Sequence, residues 1–119
     1  TWMRISRRAV RDYNFRGTDL VETLSMWYNV RRGEKAYISP FKGRANVIID
    51  SSLRYEVPVF ANYADPLRAA VERVPADNER RAELESMVEA LRYFQPLAPA
   101  LVPADSLIRE FIGGGSYHY

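Results

Sequence analysis

The chain has 119 residues, 47% of them apolar, and a formal net charge of +2. It is long enough for one small domain with a core of its own, and no apolar run reaches membrane-spanning length. The absence of cysteine excludes disulfides and thiolate metal sites, and residues 1–4 do not resemble the start of a signal peptide. We therefore expect a cytoplasmic protein with no membrane partner.

The positive charge is concentrated near the start of the chain. Residues 1–44 carry ten Lys or Arg against four Asp or Glu, whereas residues 45–119 carry seven against eleven. The electrostatic field of the chain is therefore positive over its first third and negative over the remainder.

The first predicted helix begins with the chain itself and ends near Arg11, with a turn at 12–14 and Gly17 closing the loop. Because no N-cap precedes this helix, we expect a piece of a longer protein. Five arginines fall in this stretch: Arg4, Arg7, Arg8, Arg11 and Arg16. The first, third and fourth share one helix face, where like charges cost a few tenths of a kcal/mol per pair.

A second helix is predicted from Asp19, whose carboxylate is a suitable N-cap with Glu22 three residues on. It runs to about Arg32 and ends at Gly33. The β-branched run at 45–50 predicts a buried strand, the best strand signal in the chain.

The second half of the sequence is predicted to be mostly helical. Residues 53–60 fit either a strand or a short helix, because Pro58 weakens both. Helices are expected at 66–74 and 78–95, the latter with an apolar stripe from Leu84 to Phe94. A Pro-rich connector at 96–103 leads to a short helix at 107–112, capped by Asp105 or Ser106 and ended by glycines 113–115.

These elements predict a mainly α fold with one or two short strands. One strand and about five helices cannot form an ordinary α/β sheet, so either the domain is mostly helical or the strand belongs to a sheet completed outside this chain. The single histidine, His118, is interpreted as incidental, and no transition-metal site is expected.

The arginines permit three interpretations when only their composition is considered. A solvated helix face paired with scattered acids is the most ordinary. Phosphate binding is the next, because guanidinium forks match phosphate oxygens in pairs. Binding of a nucleic-acid backbone is the third, with Tyr13 and Phe15 available to stack on bases.

Residues 4–12, Arg-Ile-Ser-Arg-Arg-Ala-Val-Arg-Asp, followed by Arg16-Gly17, resemble the lid segment of the uridine kinase family. The family pattern there is Arg-Leu-x-Arg-Arg-x-x-Arg-Asp and then Arg-Gly. The segment 45–49 is similar to the Ala-Asp-Val-Ile-Ile strand that follows the lid helices, and 106–114 resembles longer bacterial members.

The resemblance implies a C-terminal fragment of an α/β P-loop kinase fold, with lid helices and the following strand at 1–50 and a C-terminal helical region at 51–119. Members of the family transfer the γ-phosphate of ATP, with Mg²⁺, to a nucleoside. By position, Arg8, Arg11 and Arg16 would contact the ATP phosphates, and Arg4 and Arg7 would be supporting cations.

The chain also departs from the family pattern. Thr18 stands where a further arginine is common, and Asn46 replaces the strand aspartate. No Gly-x-x-x-x-Gly-Lys-Ser/Thr is present to cradle phosphates and hold Mg²⁺ through a hydroxyl. We therefore expect no catalytic activity from this chain alone.

Two other functions stay open. The chain could be a helical assembly module, forming a homodimer through an exposed strand at 45–50 or through the helix at 78–95. It could also bind the RNA backbone through its basic third, although nucleic acid is the least favoured partner.

Overall fold

The computed structural model describes residues 2–117, and the prediction about His118 falls outside them. The described residues form seven α-helices and no strand. Their bounds are α1 Trp2–Arg11, α2 Leu20–Ser25, α3 Trp27–Tyr37, α4 Glu56–Phe60, α5 Ala64–Arg73, α6 Arg81–Arg92 and α7 Arg109–Ile112. The mainly α prediction is confirmed, whereas the predicted strands are absent from this part of the chain.

Helix α1 ends where predicted, but the backbone then widens into a π-helical turn at Asp12–Arg16. Gly17 follows with φ +60°, a left-handed conformation that glycine adopts without steric cost. The chain can therefore reverse direction directly after Arg16, which brings α2 back against α1.

Asp19 caps α2 as predicted, its carboxylate accepting a hydrogen bond from Val21 N at 3.0 Å. The single predicted helix is broken at Met26, and α3 continues through Gly33 to Tyr37. The prediction that Gly33 ends the helix is wrong, because a glycine inside a helix costs only about 1 kcal/mol relative to alanine.

The prediction of a buried strand at 45–50 is also wrong. Val47, Ile48 and Ile49 are 74%, 64% and 83% exposed. A strand requires a neighbour with which to share its backbone hydrogen bonds, and the described part of the chain offers none. The run is therefore an open segment without regular secondary structure.

The remaining predicted helices are present with shifted ends. The ambiguous stretch at 53–60 resolves as α4, and Pro58 is accommodated in its first turn, where the backbone N–H has no intrahelical acceptor. Helix α6 is shorter than predicted, so Phe94 lies beyond it. Before α7, the Ser106 hydroxyl accepts a hydrogen bond from Ile108 N at 3.2 Å, but α7 begins only at Arg109 with Ile108 as its N-cap residue, so the predicted cap at Asp105 or Ser106 is wrong.

One hydrophobic core joins the two predicted regions of the chain. Ile5, Leu24 and Trp27 from the first region lie in the same cluster as Phe60 and Phe111 from the second. The apolar stripe of α6 packs on α5 inside this core. It is therefore covered within the chain itself.

None of the helices between residues 2 and 117 combines the length and apolar character needed to cross a bilayer.

Candidate functional site

The site is organised around Asp12, a buried carboxylate at the first position after α1. The Nε atoms of Arg8, Arg11 and Arg16 lie 3.6, 3.7 and 3.7 Å from its oxygens. The hydroxyl of Thr23 donates a hydrogen bond to Asp12 Oδ2 at 3.0 Å. The three arginines that the sequence predicts as phosphate contacts are therefore gathered around one carboxylate.

Local backbone geometry explains this arrangement. Arg8 and Arg16 each stand four residues from Asp12, one before it in α1 and one after it in the π-helical turn. Side chains four apart on a helix are neighbours, so both guanidinium groups reach the same carboxylate from opposite sides. π-Helical turns are rare and are often found at functional sites.

The distances between Asp12 and the three arginines show what kind of contact they make. At 3.6–3.7 Å the three contacts are charge pairs rather than hydrogen bonds. Arg11 also has Glu110 3.7 Å from its Nη1. Three guanidinium groups thus share two carboxylates, which leaves one positive charge unbalanced.

Two concavities open beside this cluster. The first, which we call the arginine cleft, has a volume of about 290 Å³. The second, the glycine pocket, has a volume of about 590 Å³. Arg11 and Glu110 line both concavities, so their ion pair lies between the arginine cleft and the glycine pocket.

The arginine cleft is lined by four of the five arginines predicted from the sequence, Arg4, Arg7, Arg8 and Arg11. Trp27 lines it as well and is only 2% exposed. Its indole Nε1–H finds no acceptor among the residues described, and a buried donor without a partner is costly. The nitrogen is closed off from solvent, so an anion in the cleft would reach it only after a side-chain rearrangement at the cleft wall.

The two supporting cations have partners of their own. Arg7 donates to the buried carboxylate of Glu56, with Nε to Oε2 at 2.9 Å, and also to the Ser51 carbonyl at 2.7 Å. The hydrogen bond from Arg7 to Glu56 raises the pKa of Arg7 above its ordinary value despite the opposing effect of burial. Arg7 is thus held in place at the edge of the cleft.

Arg4 forms an ion pair with Glu34, which also accepts a hydrogen bond from Arg31 at 2.6 Å. Burial favours a higher pKa for Glu34, but the Arg31 hydrogen bond and the Arg4 charge outweigh it, so that the pKa lies below its ordinary value. Arg4 therefore joins α1 to α3 beside the cleft.

Two groups in this site were not predicted as functional from the sequence. In the sequence, Asp12 is only the last residue of the arginine motif, and Trp27 lies within the second predicted helix without any mark of a functional role. In the structure Trp27 is a core residue that also lines the cleft. The departures Thr18 and Asn46 line neither concavity.

Comparison of the chain with protein-family models, with curated proteins and with solved structures gave no match. The resemblance of residues 4–17 to a kinase lid therefore stays a prediction.

Proposed function

We propose that this chain supplies the arginine side of an ATP phosphate site, as the lid and C-terminal part of a uridine kinase-like phosphotransferase. The observation that carries the proposal is the grouping of Arg8, Arg11 and Arg16 around Asp12. For each, Nε is the nitrogen that pairs with Asp12, and no hydrogen bond from the described residues occupies the terminal nitrogens of the fork. Such forks match the paired oxygens of a phosphate.

The chemistry required of a lid is electrostatic. Negative charge spreads over the oxygens of the γ-phosphoryl group during transfer, and fixed cations stabilise that charge. Mg²⁺, held with the nucleotide by a phosphate loop, neutralises the phosphates in such enzymes. Since no phosphate loop is present in this sequence, the chain binds but does not transfer.

The first test is binding of inorganic tripolyphosphate and ATP to the chain, measured by calorimetry at low salt. Arg8→Ala and Arg11→Ala should each weaken binding about tenfold or more, since a charge-assisted hydrogen bond contributes about 1.5–3 kcal/mol. Arg68→Ala is the matched control, because Arg68 forms an exposed pair with Glu72 on α5, at 3.6 Å. Equal binding by all four proteins would contradict the proposal.

The second test concerns catalysis. In a protein that joins this chain to a phosphate loop, Arg8→Ala and Arg11→Ala should each slow phosphoryl transfer by about a hundredfold or more, because a transition-state arginine contributes about 10³–10⁵ in rate. Unchanged transfer in both variants would remove the assigned role.

A second candidate function, self-assembly, is favoured by the open segment at 45–50. Its side chains are apolar and exposed, and its backbone pairs with no strand among the described residues, which are features through which strands associate. Sedimentation velocity over a range of concentrations should then show a dimer that Ile49→Lys abolishes. Leu101→Lys, at another exposed apolar position, is the control and should leave the dimer intact.

RNA binding predicts a different result. Affinity would fall steeply as the salt concentration rises. The slope of log affinity against log salt concentration would decrease by about one unit for each phosphate-contacting arginine removed. Competition by ATP for the same arginines would favour the kinase proposal.

A further inference from the structure

The glycine pocket lies on the far side of the Arg11–Glu110 pair from the arginine cleft. Two aromatic side chains, Phe15 and Tyr117, line it and are 57% and 60% exposed. Ligand pockets for small molecules have volumes of about 300–1,000 Å³, so its roughly 590 Å³ is adequate for one organic ligand.

The pocket has a floor made of glycine backbone. Gly113 and Gly114 have φ values of +82° and +70°, which other residues rarely adopt. A Cβ at Gly113 would lie 3.0 Å from the Phe15 ring, and one at Gly115 would lie 2.8 Å from Arg109 Cβ. Side chains on this floor would therefore displace Phe15 and Arg109, and only glycines leave the space open.

This floor is held in position by Arg109, which also lines the pocket, and by a backbone contact of Ser116. Arg109 donates hydrogen bonds to the carbonyls of Gly113, at 3.1 Å, and of Val102. Ser116 N donates to the Ala104 carbonyl at 2.8 Å, which fixes the end of the glycine run. The pocket is thus built by specific contacts and does not depend on a loose tail.

The surroundings of the pocket determine what kind of molecule it fits. Flat aromatic faces and bare backbone suit a planar ring, because bases stack on aromatic side chains and a backbone without side chains permits close approach. Arg11 and Arg16 line the pocket and also belong to the arginine cluster around Asp12. A ligand with a ring at one end and phosphates at the other satisfies both parts.

We infer that the glycine pocket binds the heterocyclic base of a nucleotide whose phosphates lie on Arg11 and Arg16. This inference rests on the proposed function, since it assigns a place to the part of the ligand that the arginines do not contact. It adds two recognition residues, Phe15 and Tyr117, to the arginines of the site.

The test compares three probes on the full chain by calorimetry: ATP, inorganic tripolyphosphate and adenosine. ATP should bind about tenfold or more tightly than tripolyphosphate, because stacking of one base on an aromatic ring is worth that much. Phe15→Leu and Tyr117→Leu should remove most of this advantage while changing tripolyphosphate affinity less than twofold. Phe41→Leu, at an exposed aromatic in neither concavity, should change nothing.

The two variants guard against a purely structural effect. Phe15 touches the glycine floor and could alter its shape, whereas Tyr117 is more exposed, and circular dichroism melting curves identify any variant that fails to fold. Equal affinities for ATP and tripolyphosphate in the native chain would overturn the inference. So would an ATP advantage that survives in both leucine variants, or failure of both ATP and adenosine to bind.

Failure of the proposed function gives a different pattern. If ATP or adenosine binds in a manner that depends on Phe15 and Tyr117 but not on Arg8 or Arg11, the base pocket stands and the phosphate role of the arginines does not.

Discussion

Arg7 donates two hydrogen bonds to the carboxylate of Glu56, a charged side chain that is completely buried. The same carboxylate accepts a hydrogen bond from Leu53 N at 2.8 Å, at the start of α4. The pair thus connects α1 to α4 through the core and fixes one wall of the arginine cleft.

The first prediction concerns the loss of this pair. Arg7→Met leaves the Glu56 carboxylate buried without its cation, so we expect the free energy of unfolding to fall by about 3–5 kcal/mol. Urea unfolding monitored by circular dichroism measures the change. The exposed pair of Arg68 and Glu72 is the control, where Arg68→Met should cost less than about 1 kcal/mol. A loss below 1 kcal/mol for Arg7→Met would be incompatible with a buried charge pair.

The second prediction concerns the carboxylate that gathers the arginines. Asp12→Asn keeps the size of the side chain but leaves Arg8, Arg11 and Arg16 without their shared charge. We expect a loss of about 2–3 kcal/mol in the free energy of unfolding at low salt. Because an added anion can replace the carboxylate, tripolyphosphate should restore more stability in this variant than in the native chain.

Asp65→Asn is the control for that experiment, since Asp65 lies exposed in the first turn of α5. Urea unfolding with and without tripolyphosphate distinguishes the two positions. If Asp12→Asn unfolds within 0.5 kcal/mol of the native protein, the carboxylate does not hold the arginine cluster together.

The third prediction concerns Trp27. Trp27→Phe removes the unpaired indole N–H but also leaves a cavity in the core, so the unliganded chain should lose some stability, less than a truncation to alanine would cost. Tripolyphosphate should bind about three- to tenfold more weakly, since one neutral hydrogen bond is lost. Trp2→Phe, at an exposed tryptophan, should leave the affinity unaltered. Native affinity in Trp27→Phe would show that the indole N–H takes no part.

The fourth prediction concerns pH. The pKa of Glu34 lies below its ordinary value of 4.5, so the unfolded chain binds a proton at this residue more readily than the folded chain does. The stability that Glu34 contributes is complete above pH 4.5 and is lost as the pH falls through its lower folded pKa. Glu34→Gln should therefore flatten the fall in the free energy of unfolding below pH 4.5.

Urea titrations at pH 7, 5, 4 and 3 test this prediction. Glu79→Gln is the control, because Glu79 is exposed and its carboxylate makes no ion pair among the described residues. A pH dependence in Glu34→Gln as steep as that of the native chain would show that Arg4 and Arg31 do not stabilise the charged form.

The features predicted correctly from the sequence are those that local chemistry determines. The Asp19 cap, the end of α1 at Arg11 and the apolar stripe of α6 each depend on residues within one or two turns. Helix propensity and amphipathic spacing are sufficient for such elements.

The incorrect predictions concern features that depend on residues far away in the sequence. The run at 45–50 has the composition of a buried strand, but strand formation depends on a neighbouring strand that the sequence cannot supply. For the site, the arginine spacing predicted a shared face, whereas the roles of Asp12 and Trp27 depend on how α1, α2 and α3 pack. That packing has no local signal.

The position of Asp12 also has a consequence for the thermodynamics of binding. Guanidinium groups that repel one another must ordinarily be brought together at the expense of ligand affinity. Here the Asp12 carboxylate already lies 3.6–3.7 Å from the Nε atoms of three arginines. Two of these arginines stand four residues before and four residues after Asp12. The cluster is preorganised by an anion of its own, so an incoming phosphate enters an arrangement that has already been formed.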